Sequence, residues 1–102
     1  MVTMTIQHTV VFALHHAEGS SEEKTFLTDA QRSLSAIPDV QQLRINRQVS
    51  DKSDLRWQFT MLFDDQAAFD AYNEHPDHVA FVESRWQHEV RDFQEYDFVA
   101  GD

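Results

Sequence analysis

Apolar and polar residues alternate at the start of the chain. From Thr5 to Leu14, Ile6, His8, Val10, Phe12 and Leu14 fall on one side and Gln7, Thr9, Val11 and Ala13 on the other. That period of two predicts a β-strand. After a loop carrying Gly19 the period changes. Ser20, with Glu23 three residues on, has the spacing of a capping box, and Phe26, Leu27, Ala30, Leu34 and Ile37 then recur at helical intervals. A helix is expected to about Ile37, where Pro38 stops it by lacking an N–H and by disfavouring a helical residue before it.

Alternation resumes beyond Asp39. Leu43, Ile45, Arg47 and Val49 oppose Gln42, Arg44, Asn46 and Gln48 in a second strand, and Ser50 to Asp54 form a polar turn. Between Leu55 and Asp64, Trp57, Phe59, Met61 and Phe63 line one face of a third strand, with Arg56, Gln58, Thr60 and Leu62 on the other. Asp64 or Asp65 caps a second helix bearing Ala68, Phe69 and Tyr72. Pro76 opens a new helix, so the break falls at His75, and Val79, Val82, Trp86 and Glu89 or Val90 continue the stripe. A last strand, Asp92 to Val99, carries Phe93, Tyr96 and Phe98.

Read in order, these elements give β-α-β-β-α-β, an α+β, ferredoxin-like arrangement with the helices on one face of a four-stranded antiparallel sheet. The opposite face would hold Thr9, Val11, Thr60, Leu62, Tyr96 and Phe98, apolar enough to mark an interaction surface. Two copies related by a twofold axis would bury it mutually, making a homodimer in the form of a dimeric α+β barrel.

The 102 residues correspond to one domain, residues 1–102, since no linker-like stretch divides them. Eight Phe, two Tyr and two Trp concentrate apolar area in few positions, which lets a chain with 41% hydrophobic residues form a core. Eighteen acidic residues against eight basic give a net charge of −10, which repels phosphate backbones and anionic headgroups, so neither nucleic acid nor membrane is an expected partner. The chain has no Cys, so disulfides and thiolate metal sites are excluded. The N-terminus lacks a basic region ahead of its short apolar run, Val10 to Leu14, and a cytoplasmic location is expected.

Histidine and tyrosine supply the candidate chemistry. Tyr72, His75 and His78 recur at intervals of three around the Pro76 break and can converge on one edge of a cavity, with His8 entering from the sheet. A neutral imidazole, with a pKa near 6.5, suits proton abstraction beside a carbonyl, while a phenol steadies the enolate oxygen. Such a pair can drive an aldol-type closure. The structural alternative is that His78 bonds a backbone carbonyl to fix the turn and His8 is a satisfied core residue. The row Trp57, Phe59, Met61 and Phe63 lines a cavity for a flat hydrophobic molecule or, alternatively, packs against the helices. A metal site on His75 and His78 with His8, His15 or His16 lacks a diagnostic spacing. The acidic pairs Glu22-Glu23 and Asp64-Asp65 read as helix starts.

Three segments carry a family resemblance: "QHTVVFAL" with His8, "IPDV" from Ile37 to Val40, and "FDDQAAFDAYNEHPDHVAFV" with its His-Pro-x-His step, His75 to His78. In this order the chain resembles the Dabb family of stress-responsive dimeric A/B barrel domains over residues 5 to 99. The resemblance implies the dimeric barrel. A cofactor-free polyketide cyclase of that family uses a tyrosine and a histidine in segments matching Tyr72 and His78, and a pocket histidine matching His8. The resemblance therefore implies catalytic roles for Tyr72 as oxyanion donor, His78 as base and His8 as orienting group, with no cofactor. Asn73, Glu74 and Asp77 replace less charged residues and Trp57 adds bulk, which points to a different substrate. In some relatives a divalent cation sits on backbone carbonyls that match Leu34, Ile37 and Val40.

The expected function is thus a homodimer with a pocket for a small hydrophobic or carbonyl-bearing metabolite, His75 and the aromatic row contributing to binding. Two other classes fit the resemblance: a non-catalytic stress scaffold with a filled core, and a haem-binding or cofactorless oxygenase.

Overall fold

A computed structural model describes residues 4–101. The first alternating stretch becomes β1 (Ile6–Leu14), the strand that holds the sheet together. It pairs antiparallel with both β3 (Trp57–Phe63) and β4 (Val90–Phe98), while β2 (Gln41–Arg47) pairs with β3, giving the order β2-β3-β1-β4. Thr9 and Ala13, on the side of β1 away from the helices, are buried even so, and the Gln58 side chain reaches Thr9 from β3, donating to its hydroxyl at 2.7 Å.

Helix α1 (Ser21–Ser35) begins as the capping box predicts. The Glu23 amide donates to the Ser20 hydroxyl at 3.2 Å. The Glu23 carboxylate turns back to accept from the Gly19 amide at 2.9 Å, and its other oxygen accepts from the Trp57 indole at 3.1 Å, so the buried charge is fully bonded. Gly19 has φ of +80°, a left-handed conformation that glycine adopts without strain. Helix α2 (Gln66–Glu74) is capped by Asp65, whose carboxylate accepts from the Ala68 amide at 2.8 Å.

The inner faces of β1 and β3 meet α1 and the last helical block in an aromatic core. Phe12 packs against the rings of Phe59 (4.7 Å between centroids), Trp86 (5.0 Å) and Phe26 (6.1 Å). Phe12, Phe26, Phe59, Phe63 and Met61 are all fully enclosed.

Four features differ from the sequence expectations. Helix α1 stops at Ser35 rather than Ile37, because the chain must turn to deliver Ile37 as a buried plug at the helix end. Strand β2 ends at Arg47 and carries an irregularity between Gln41 and Arg44, where Gln42 has φ of 51°; Val49 consequently lies outside it, 85% exposed. Strand β4 begins at Val90, two residues early, because a bulge opposite Ala13 and Leu14 extends the pairing. The helix after Pro76 is not uniform: α3 (Pro76–Phe81) passes into a π-helical stretch, Val82–Trp86, and ends in a single turn, α4 (Gln87–Glu89).

The sheet face away from the helices combines polar and apolar parts. Asn46, Gln58 and Thr9 form a hydrogen-bonded ladder across three strands, Asn46 Nδ2 to Gln58 Oε1 at 2.9 Å and Gln58 Nε2 to Thr9 Oγ1 at 2.7 Å. Beside it, Tyr96 and Phe98 stack at 5.9 Å and are each about half exposed, 47% and 49%. No helix among the described residues is long and apolar enough to cross a membrane.

Candidate functional site

The helices do not close fully over the sheet, and a cavity of about 620 Å³ remains between them. Its floor is the inner face of β1 and β3, with His8, Val10, Phe59 and Met61. Tyr72 and His78 stand along one wall, and Phe81, Val82 and Trp86 along another. The π-helical stretch supplies two of those residues; the wider turn, one residue longer per hydrogen-bonded ring, faces the cavity as such turns often do at functional sites. Arg91, Asp92, Phe93 and Glu95 of β4 form the open rim.

The Pro76 break positions His78. Helix α2 ends at His75, whose extended backbone is imposed by the following proline and whose Nδ1 accepts the Asp77 amide at 3.0 Å to cap α3. One turn on, His78 Nδ1 lies 3.2 Å from the main-chain oxygen of Asn73. A carbonyl only accepts, so Nδ1 carries the hydrogen and the neutral ring keeps its lone pair on Nε2. Burial lowers the His78 pKa below the ordinary histidine value and His8 adds to the effect, while the Asn73 carbonyl and Glu95 oppose it. The ring is held 4.4 Å from that of Tyr72. Burial, with the Glu95 carboxylate adding, pushes the Tyr72 hydroxyl well above the usual tyrosine range, so it remains a donor.

His8, only 6% exposed, is held from the opposite side. Its Nδ1 donates to Asp97 Oδ1 at 2.6 Å, which orients the ring against Phe69 (5.0 Å) and Tyr72 (6.3 Å) and leaves Nε2 as the second ring nitrogen. The wall itself is braced by ion pairs. Arg85, in the π-helical stretch, reaches Asp29 of α1 at 2.7 Å and also bonds Glu89, which in turn pairs with His16 at 2.7 Å.

Among the residues singled out in the sequence, His8, Tyr72, His78, Phe59 and Met61 share this cavity. His75 does not line it and serves as the cap between α2 and α3. Trp57 borders a separate, smaller pocket of about 320 Å³ with Glu23, His16 and Arg91. Phe63 sits behind the wall, 5.1 Å from the Tyr72 ring. The carbonyls of Leu34 and Ile37 accept the amides of Ile37 and Val40, at 3.2 and 3.4 Å, closing the turn after α1. Leu34 also reaches the cavity with its side chain. Asp97 and Glu95 escaped the sequence reading. The signal was parity: in β4 the odd-numbered residues share the helix side with Phe93.

The chain is similar to a Dabb family protein with a ferredoxin-like fold from Mesorhizobium loti, at 52% identity, a TM-score of 0.96, and coverage of 98% of this chain and 100% of that one. It is similar in fold to a dimeric ferredoxin-like protein from Thermobifida fusca, at 19% identity and a TM-score of 0.77, covering 96% of this chain and 92% of the other. A hydroxynitrile lyase from Passiflora edulis shares the fold at 12% identity and a TM-score of 0.80, with 96% and 94% covered. A search of curated proteins finds no significant match. The family model of the stress responsive A/B barrel domain matches residues 6–100, and the chain belongs to that family, Dabb.

Proposed function

We propose that the protein is a homodimer whose cavity binds a small hydrophobic, carbonyl-bearing molecule and moves a proton beside that carbonyl without a cofactor. The observation that carries this reading is the pairing of His78 with Tyr72: one ring has its Nδ1 hydrogen committed to Asn73 and its lone pair on Nε2, and the other keeps its proton. In this reading His78 Nε2 takes a proton from the carbon next to the carbonyl and the electron pair moves to the carbonyl oxygen. The Tyr72 hydroxyl donates to that oxygen as charge develops. The enolate carbon then regains a proton or closes on a second carbonyl in the same molecule, and in that closure the His78 proton goes to the new alkoxide. His8, steadied by Asp97, orients the ligand, with Phe59 and Met61 beneath it.

The dimer is part of the proposal. The half-exposed Tyr96 and Phe98 offer an apolar patch on the sheet face, and the Thermobifida fusca protein of the same fold is dimeric. A fold that includes a hydroxynitrile lyase also accommodates acid/base chemistry, although at 12% identity the likeness is one of fold.

Hydrogen–deuterium exchange at the central carbon of benzoylacetone, followed by NMR, tests the chemistry. The wild-type protein is expected to accelerate exchange, and His78→Asn to reduce the acceleration about a hundredfold. Binding of the diketone with no acceleration would leave a ligand-binding protein and refute the catalytic part.

A further inference from the structure

Glu95 stands apart from the other charged groups around the cavity. Its register partner on β1 is Val10, which puts it on the helix side of the sheet, between the pairs His8–Asp97 and Phe12–Phe93. Its neighbours are bonded: Asp97 to His8 at 2.6 Å, Arg91 to Asp54 at 3.4 Å, and Asp92, which has no cationic partner, accepts from the Phe93 amide at 2.9 Å. Among the described residues the Glu95 carboxylate makes no hydrogen bond or ion pair, yet it borders the cavity that Tyr72 and His78 line. Asp92 adds a second acid to the same rim. The field of Glu95 reaches the proposed reacting groups, for it acts on both Tyr72 and His78.

We infer that Glu95 selects the ligand by charge: the cavity takes uncharged or cationic carbonyl compounds that present an N–H or O–H donor to Glu95, and rejects carboxylates and phosphate-bearing thioesters. This deepens the cavity reading above and rests on it. An anion seated between Tyr72 and His78 would lie beside an unneutralised carboxylate at a site partly screened from water, where like charges repel more strongly than in bulk solvent. A donor there supplies the hydrogen bond that Glu95 otherwise takes from water. The rim cation offers an anion little, because Arg91 is already engaged by Asp54 and adjoins Asp92. The ligand therefore arrives as a free small molecule.

Three probes of one shape test this: 2-naphthylmethylamine, 2-naphthylmethanol and 2-naphthoate, titrated by fluorescence at pH 7.5 against the wild-type protein, Glu95→Gln and Glu22→Gln. Glu22 is an exposed acid on α1, so its change removes the same single negative charge without touching the cavity. Wild-type protein is expected to prefer the amine to the carboxylate by about tenfold, with the alcohol between them. Glu95→Gln should cut that ratio at least threefold, about the loss of one near charge, and Glu22→Gln should leave it intact. An equal fall in both variants, or wild-type preference for the carboxylate, overturns the selection by Glu95 while the cavity reading stands. Failure of all three probes to bind overturns both.

Discussion

The Nδ1 of His78 donates to the main-chain oxygen of Asn73 across the Pro76 break, at 3.2 Å. One hydrogen bond thereby does two things, fixing the turn and fixing the tautomer. The two are separable. Asparagine can place an amide N–H near the same carbonyl but has no basic nitrogen, whereas alanine has neither. His78→Asn is expected to unfold within about 0.5 kcal/mol of wild type, and His78→Ala to lose about 1 kcal/mol, the usual net value of such a bond. Both should lose the exchange activity. Thermal unfolding and diketone exchange, measured on the same samples, check this; full activity in His78→Asn would remove His78 as the base.

The lowered pKa of His78 sets the direction of its pH dependence. Below its ordinary value near 6.5 the unfolded chain binds a proton that the folded ring resists, so this contribution to stability is complete above that pH. It is lost as pH falls toward the folded pKa. His78→Gln should therefore flatten the stability curve just below about pH 6.5. The exchange rate should rise with pH and reach its plateau with a midpoint below 6.5, since the base is neutral there. A midpoint above 7 would contradict the assignment.

Asp97 holds a histidine that is nearly sealed from solvent. Asp97→Ala leaves the His8 Nδ1 hydrogen without its partner and is expected to cost about 1–2 kcal/mol, moderated because Asp97 itself is 44% exposed. His8→Phe suits the ring cluster with Phe69 and Tyr72 and should retain most of the stability while weakening ligand binding. Denaturant titration combined with naphthyl-probe affinity distinguishes the two effects.

Phe12 is the hub of the core, in contact with three aromatic rings and fully enclosed. Phe12→Ala is expected to destabilise by about 3–5 kcal/mol, and the loss should show in urea unfolding as a shifted midpoint. Phe12→Leu, which refills most of the space, should cost roughly half as much.

On the opposite sheet face, Phe98→Glu introduces a charge into the proposed dimer contact. Sedimentation velocity at micromolar concentration should find wild type as a dimer and the variant dissociating at least about tenfold more readily. A monomeric wild-type protein would refute the association.

Much of the architecture was readable from local periodicity, because β1 and β3 alternate cleanly and Ser20 with Glu23 marks the first helix. The proton-transfer candidates were also readable, since Tyr72 and His78 lie within one short segment on either side of a proline. Glu95 and Asp97 were not. Parity along β4 puts them on the side of Phe93, but which residues they face depends on the β1–β4 register, a pairing between distant parts of the chain that no local pattern encodes, and Tyr96 and Phe98 drew attention to the other face. The dual capping role of His75 was hidden for a related reason: a histidine's hydrogen-bond partner depends on the angle at which two helices meet. Nor does any residue type announce the π-helical stretch, whose cause is packing rather than propensity.

Val82–Trp86 winds with more residues per turn than the helix before it. The wide turn holds one residue more than ordinary helix, so removing a single residue there would let the ordinary winding continue while the segments downstream keep their facing. The change would be confined to the side chains of the stretch itself, which form part of the cavity wall. One-codon insertions and deletions in this segment are thus a route to a reshaped cavity, coarser and faster than point substitution, with the sheet beneath left intact.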